Sequence, residues 1–166
     1  MQARIVPAPI PADSEIKRRL PGADFQDCYT VPLADMRPPL ELYLHMLPRM
    51  PRWVSLMMAL RNKVVGYMGL KNLGDFTHFD ASRPLTEYRV GDQVGIFSIV
   101  YLSEREIILG DDDKHLNVQL SLHRPEGSDT LSASTIVHIH NRLGHLYMFF
   151  VTPMHKLIVP AVLRRV

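Results

Sequence analysis

His138 and His140 stand two residues apart in the run Ser134-Thr135-Ile136-Val137-His138-Ile139-His140-Asn141. On a strand that spacing projects both imidazoles from one face, within reach of a single metal ion. With a third ligand and an open position, such a centre activates water. His123, His115 and His155 are the candidates for that third ligand. The same face carries Ser132 and Ser134, however, which marks it as the solvated side of a sheet. Hydrogen-bonded histidines without a metal are therefore expected. His140-Asn141 ends the strand ahead of Thr152-Pro153, a position from which to orient a ligand's polar head. Turn chemistry is the competing reading, with Asn141 bonding its own backbone and His140 resting on Tyr147. His140 and His155 are the candidate general bases. Asp111-Asp112-Asp113 has the charge of a calcium loop but not its fixed ligand spacing or terminal Glu, and reads as a solvated turn.

Other chemistries lack their residues. There is no Gly-x-Ser-x-Gly elbow, no His-Glu-x-x-His and no phosphate-cradling glycine loop, and no cofactor is expected. Cys28 is the only cysteine, with nothing near it in sequence to lower its pKa, so it reads as a small buried hydrophobe in a reducing compartment, the cytoplasm. The prolines between Met1 and Pro11 interrupt any signal-like apolar segment, and no apolar run approaches the roughly 20 residues of a membrane span. A formal charge of +2, with 22% charged and 46% apolar residues, describes an ordinary globular chain. No Lys/Arg cluster interleaved with aromatics points to nucleic acid.

The elements that must position these groups follow from hydrophobic period. Residues 1–21 alternate proline with small and charged residues and read as an extended arm, loosely packed or reaching a neighbouring subunit; residues 22–166 form one domain. Phe25 to Val31 is a first strand, with Phe25, Asp27, Tyr29 and Val31 on one face and Cys28 on the other. Pro38-Pro39 opens a helix to about Leu47. A second helix has an apolar face of Trp53, Leu56, Met57, Leu60, Val64, Tyr67 and Met68, expected to pack in the core. Its soft methionines also suit a wall that accepts ligands of variable shape. Gly66 and Gly69 frame its end, and Lys71 to Val90 is a long loop with one short strand near Phe76 to Phe79.

Val94 to Leu102 and Arg105 to Leu109 are the next strands, with Gly110 to Lys114 as a turn. Leu116, Val118, Leu120 and Leu122 then alternate with polar residues, as do Leu131, Ala133, Thr135, Val137 and Ile139. Asn141-Arg142-Leu143-Gly144 reads as a turn into a last strand, His145 to Val151, before a helix that starts at Thr152-Pro153 and kinks or ends near Pro160. The order gives an α+β fold: a curved antiparallel sheet of about six strands, two helices after the first strand, and a long C-terminal helix across the concave face. That is the helix-grip arrangement, which leaves a cavity between helix and sheet.

Leu20-Pro21-Gly22-Ala23-Asp24-Phe25, Leu60-Arg61-Asn62 and Gly110 to Ser121 resemble phrases of the domain-of-unknown-function family numbered 2867. His140-Asn141-Arg142-Leu143-Gly144-His145-Leu146-Tyr147 and Val151-Thr152-Pro153-Met154-His155 resemble it most, and the similarity spans roughly Leu20 to Arg165. The resemblance implies a START-like fold and no established activity; some relatives are fused to a dehydrogenase-like domain, so such a partner is implied for this chain. Asn117 and Gln119 replace the family's usual Asp and Arg, and His145 replaces an Arg.

The expected function is binding or carrying a small apolar molecule. Trp53, Tyr67, Phe97, Tyr101, Thr135, Tyr147, Phe149, Met154 and Ile158 are the candidate lining, and His140 and His155 the polar anchors. A cyclase- or hydrolase-like enzyme with a cavity histidine as base is the alternative. A cavity-free interaction module, using the arm and the methionine-rich surface for a partner or a homodimer, is the third reading.

Overall fold

A computed structural model of the protein describes residues 4–67, 69 and 79–166. Met68 and most of the short strand expected near Phe76 to Phe79 lie outside the described residues. The chain runs β1 (Val6–Pro7), α1 (Glu15–Arg19), β2 (Phe25–Pro32), α2 (Pro39–Met46), α3 (Arg52–Tyr67), β3 (Gln93–Val94), β4 (Phe97–Leu102), β5 (Glu106–Asp112), β6 (Leu116–His123), β7 (Thr130–Ile139) and α4 (Arg142–Leu163). The strands form one curved, unclosed antiparallel sheet in the order β1-β2-β7-β6-β5-β4-β3, with α4 across it. The expected α+β architecture is present, with seven strands where about six were expected.

Period two sorts the β5 side chains between two cores. Ile107 and Leu109 enter the larger one with Val31, Leu42, Tyr43, Leu122, Leu131 and Leu163, on the concave side. Ile108, between them, enters a smaller one with Ile10, Ile16, Cys28 and Ile136. The N-terminal arm is therefore packed on the convex face, where the sequence led us to expect a loose segment. Glu106 fixes it there: its carboxylate, buried on β5, accepts from the Glu15 and Ile16 amides at 2.5 and 3.2 Å and from the Ser121 hydroxyl at 2.6 Å. Those amides are unpaired donors of α1's first turn, and a carboxylate satisfies them. Ser132 and Ser134, expected on a solvated face, are buried.

Three boundaries differ from the sequence reading, each through a local contact. Val94 to Leu102 is a hairpin, because Gly95 takes φ +66° and pairs Val94 with Phe97 across a two-residue turn. Gly110 lies inside β5, opposite Ser98 and Gln119, where an added Cβ would meet Val100 Cγ2 at 2.9 Å beside the irregularity between Ile99 and Tyr101. The third is the largest: residues 145–151 are helix, and α4 begins ten residues before the expected Thr152-Pro153 start. Asn141 is extended, at φ −157°, and its side-chain oxygen accepts from the Gly144 amide at 3.0 Å. Gly144 passes so close to β6's entry that a Cβ there would lie 2.5 Å from the His115 carbonyl oxygen. A short apolar run suits strand or helix alike, and this cap decides it.

Within α4, Pro153 and Pro160 each leave a carbonyl unbonded, on Phe149 and Lys156. Both of those residues are exposed, so water can serve them, and the helix continues three residues past Pro160 to Leu163. Joined in this way, α4 is long and apolar enough, by length and composition, to cross a membrane, which the division into strand and helix had concealed. One side of it nevertheless rests on the sheet, through Gly144, Met148 and Leu163. The apolar face of α3 also differs from expectation: Trp53, Leu56, Leu60, Val64 and Tyr67 are exposed, and only Val54 and Val65 are buried.

Candidate functional site

A recess of about 210 Å³ opens between the concave face and α2, α3 and α4. Its floor is Val118, Leu120 and Leu122 from β6 with Ala133, Thr135 and Val137 from β7, alternate residues that the pleat turns to one side. Ile96 and Phe97 close one end and Phe25 the other, while Met154, Ile158 and Val162 of α4 line the wall. Among the described residues, six methionines face it: Met46, Met50, Met57, Met58, Met148 and Met154. Thioether side chains are unbranched and polarisable, so this wall can adapt to differing shapes.

Polar groups are few in the lining. The Tyr43 hydroxyl is spent on the Val94 carbonyl at 3.2 Å, and burial raises its pKa above the ordinary phenol range. Arg61 lies over the Tyr147 ring at 5.3 Å and donates from Nε to that residue's hydroxyl at 2.9 Å, joining α3 to α4. His155 is the remaining group with chemistry. Its Nε2 lies 3.1 Å from Thr135 Oγ1 and 3.3 Å from Asp27 Oδ2, and its ring stands edge-on to Phe25 at 5.8 Å. With the proton on Nε2, Asp27 orients the ring and Nδ1 is the proton acceptor. Three elements build the trio: β2 gives Asp27, β7 Thr135 and α4 His155.

Of the expected site residues, Phe97, Thr135, Met154, Ile158 and His155 line the recess. The others lie elsewhere. Trp53, Tyr67 and Phe149 point outward, and Tyr67 and Phe149 are 85% and 74% exposed. Tyr101 packs with the convex cluster. Tyr147 is not in the lining; it packs in a cluster with Leu116, Val137 and Met148 and accepts from Arg61. His140 is exposed beside Asp112, 3.3 Å away, and its distance from the lining follows from its place at the end of β7.

The five histidines weighed for a metal have separate partners. His138 meets the Pro21 carbonyl, His140 Asp112, His115 the Asn141 amide, His123 Asp13 and His155 Asp27. Among the described residues no group of three His, Cys, Asp or Glu side chains could hold a metal ion. Asn117 and Gln119, the departures from the family pattern, bond each other at 3.0 Å on the sheet face opposite the recess. Asp27 was missed as a site residue although its signal was visible: a carboxylate on the apolar face of the first strand, between Phe25 and Tyr29.

No curated protein and no solved structure matches the chain. A family model does, over residues 19–162 of 166, which takes in all three members of the trio. On that match the chain belongs to the family described as protein of unknown function (DUF2867).

Proposed function

We propose that this protein binds or carries a small, largely apolar molecule in the recess, with the ligand's polar head against His155 and Thr135. The observation that supports the reading most is the composition of the lining: apolar and methionine-rich everywhere but at Arg61 and the His155–Thr135 pair. Binding sites combine an apolar body with a few placed polar groups in this way. At about 210 Å³ the space suits a compact ligand, below the roughly 300–1,000 Å³ of common sites. The resemblance to START-like folds, read from the sequence, would place a cavity between sheet and C-terminal helix, an argument from analogy of fold alone. We place the protein in the cytoplasm, where Cys28 stays a thiol.

The test is native mass spectrometry of the protein from its own host, followed by displacement of a fluorescent apolar probe by a library of short fatty acids and aromatic acids. A retained or competing compound is expected, bound at least about tenfold more weakly by T135V and H155F with the circular dichroism spectrum unchanged. If the wild type neither retains a ligand nor takes up the probe, the proposal fails.

A second reading rests on the Asp27–His155 contact: a carboxylate that orients an imidazole beside an apolar recess is the arrangement of a general base. Cyclase- or hydrolase-like turnover that D27N slows more than it weakens binding would favour it.

A further inference from the structure

Among the described residues, none covers the outward faces of α3 and α4. On α4, Leu146, Phe150, Pro153 and Leu157 recur at three and four residues opposite Met148 and His155, and Phe149 widens the stripe. Eight of its 22 residues are exposed, and only Gly144, Met148 and Leu163 are fully buried. On α3, Trp53, Leu56 and Leu60 form a second stripe, 41%, 70% and 59% exposed. The two helices are joined by the Arg61–Tyr147 contact. A helix apolar on both faces, with one of them uncovered, calls for an apolar environment outside the protein.

Charge selects the occupant. The 16 residues of α3 and the 22 of α4 include no Asp or Glu, in a chain with 17 acidic residues. Arg52, Lys63, Arg142 and Lys156 are exposed on them, and Arg164 and Arg165 follow directly. A second copy packed on the same face would bring these cations together with no carboxylate on either helix to offset them, which argues against an isologous dimer. An anionic lipid surface meets both requirements: acyl chains for the aromatic and leucine side chains, headgroup charge for the cations. We infer that the α3/α4 face docks the protein peripherally on an anionic phospholipid bilayer. α4 lies in the interface and does not span it, because its inner side holds Met148, His155 and Leu163 against the sheet. This docking depends on outward side chains and stands apart from any ligand in the recess.

Trp53 is the chain's only tryptophan and sits in the stripe, so it reports directly. The full-length protein is mixed with phosphatidylcholine vesicles containing none or about a third phosphatidylglycerol, at low and high salt, and followed by co-sedimentation and Trp53 emission. Partition onto anionic vesicles at least about tenfold above neutral ones is expected, with a blue shift of Trp53 and a loss of binding at high salt. F149S/F150S and K63E/K156E change exposed residues, and each is expected to cut partition at least about fivefold while leaving the circular dichroism spectrum unchanged. Failure to bind anionic vesicles, or an unmoved Trp53 emission, overturns the inference. So does a wild-type dimer that F149S/F150S dissociates, since the face would then be covered by a second copy. Unaltered vesicle binding by both variants overturns it as well, by placing the contact elsewhere.

Discussion

His123 shows how a residue's environment sets its chemistry. On β6's convex side it is buried beside Glu106 of β5, Asp13 of the arm and Arg105 of the preceding turn. Burial lowers its pKa in spite of the two carboxylates, so the folded protein holds it neutral. The unfolded chain then takes up a proton near pH 6.5 more readily than the native state. Stability contributed by the neutral ring is present above that value and is lost as pH falls from there toward the lowered native pKa. Melting temperature should therefore fall between about pH 7.5 and about pH 5.5, and H123Q should flatten the slope. An identical slope in the variant would assign it to other groups. Asp35 gives the opposite case: the Arg37 guanidinium and amide hold its carboxyl down to about 2, which keeps that ion pair intact through the same range. The sequence named His155 as a candidate anchor. It did not name the Asp27 beside it, because the pair is 128 residues apart and meets only when α4 crosses β2.

At the scale of elements, the start of α4 organises the concave side. The phrase His140-Asn141-Arg142-Leu143-Gly144 serves structure: Asn141 caps the helix, donates to the Lys114 carbonyl at 3.0 Å and meets the His115 ring, while Gly144 lets the first turn approach the His115 carbonyl. N141A should cost about 1–2 kcal/mol. G144A is the sharper test. Alanine is the better helix former by about 1 kcal/mol, so helix propensity alone predicts a gain. A methyl 2.5 Å from a backbone oxygen and 2.8 Å from Ile139 Cγ2 predicts instead a loss of roughly 2–3 kcal/mol. Denaturant midpoints at constant slope decide between the two. Nothing in the composition of Leu146 to Val151 separates a strand from a helix; the Asn141 cap and the close approach of Gly144 do.

For the molecule as a whole, the sheet is covered on both faces, by helices on the concave side and by the arm on the convex. I16A should destabilise by about 2–4 kcal/mol, as other cavity-forming changes in a core do. It should also speed the reaction of Cys28 with a thiol reagent, because Cys28 shares that cluster and burial holds its thiol above the usual pKa. Cys28 reacting at the same rate in both proteins would detach the arm from that core. Sequence alone determined the alternating strands β6 and β7, the two helices after the first strand, the sorting of Cys28 from Phe25, Asp27 and Val31, and the α+β class. Each of these is a matter of local period, written in residues two or four apart. Tertiary structure alone decided where α4 begins, that the arm is core, that the stripes of α3 and α4 face outward, and that Asp27, Thr135 and His155 meet. Periodicity shows that a face is apolar but not what covers it, and contacts across more than a hundred residues leave no trace in local spacing.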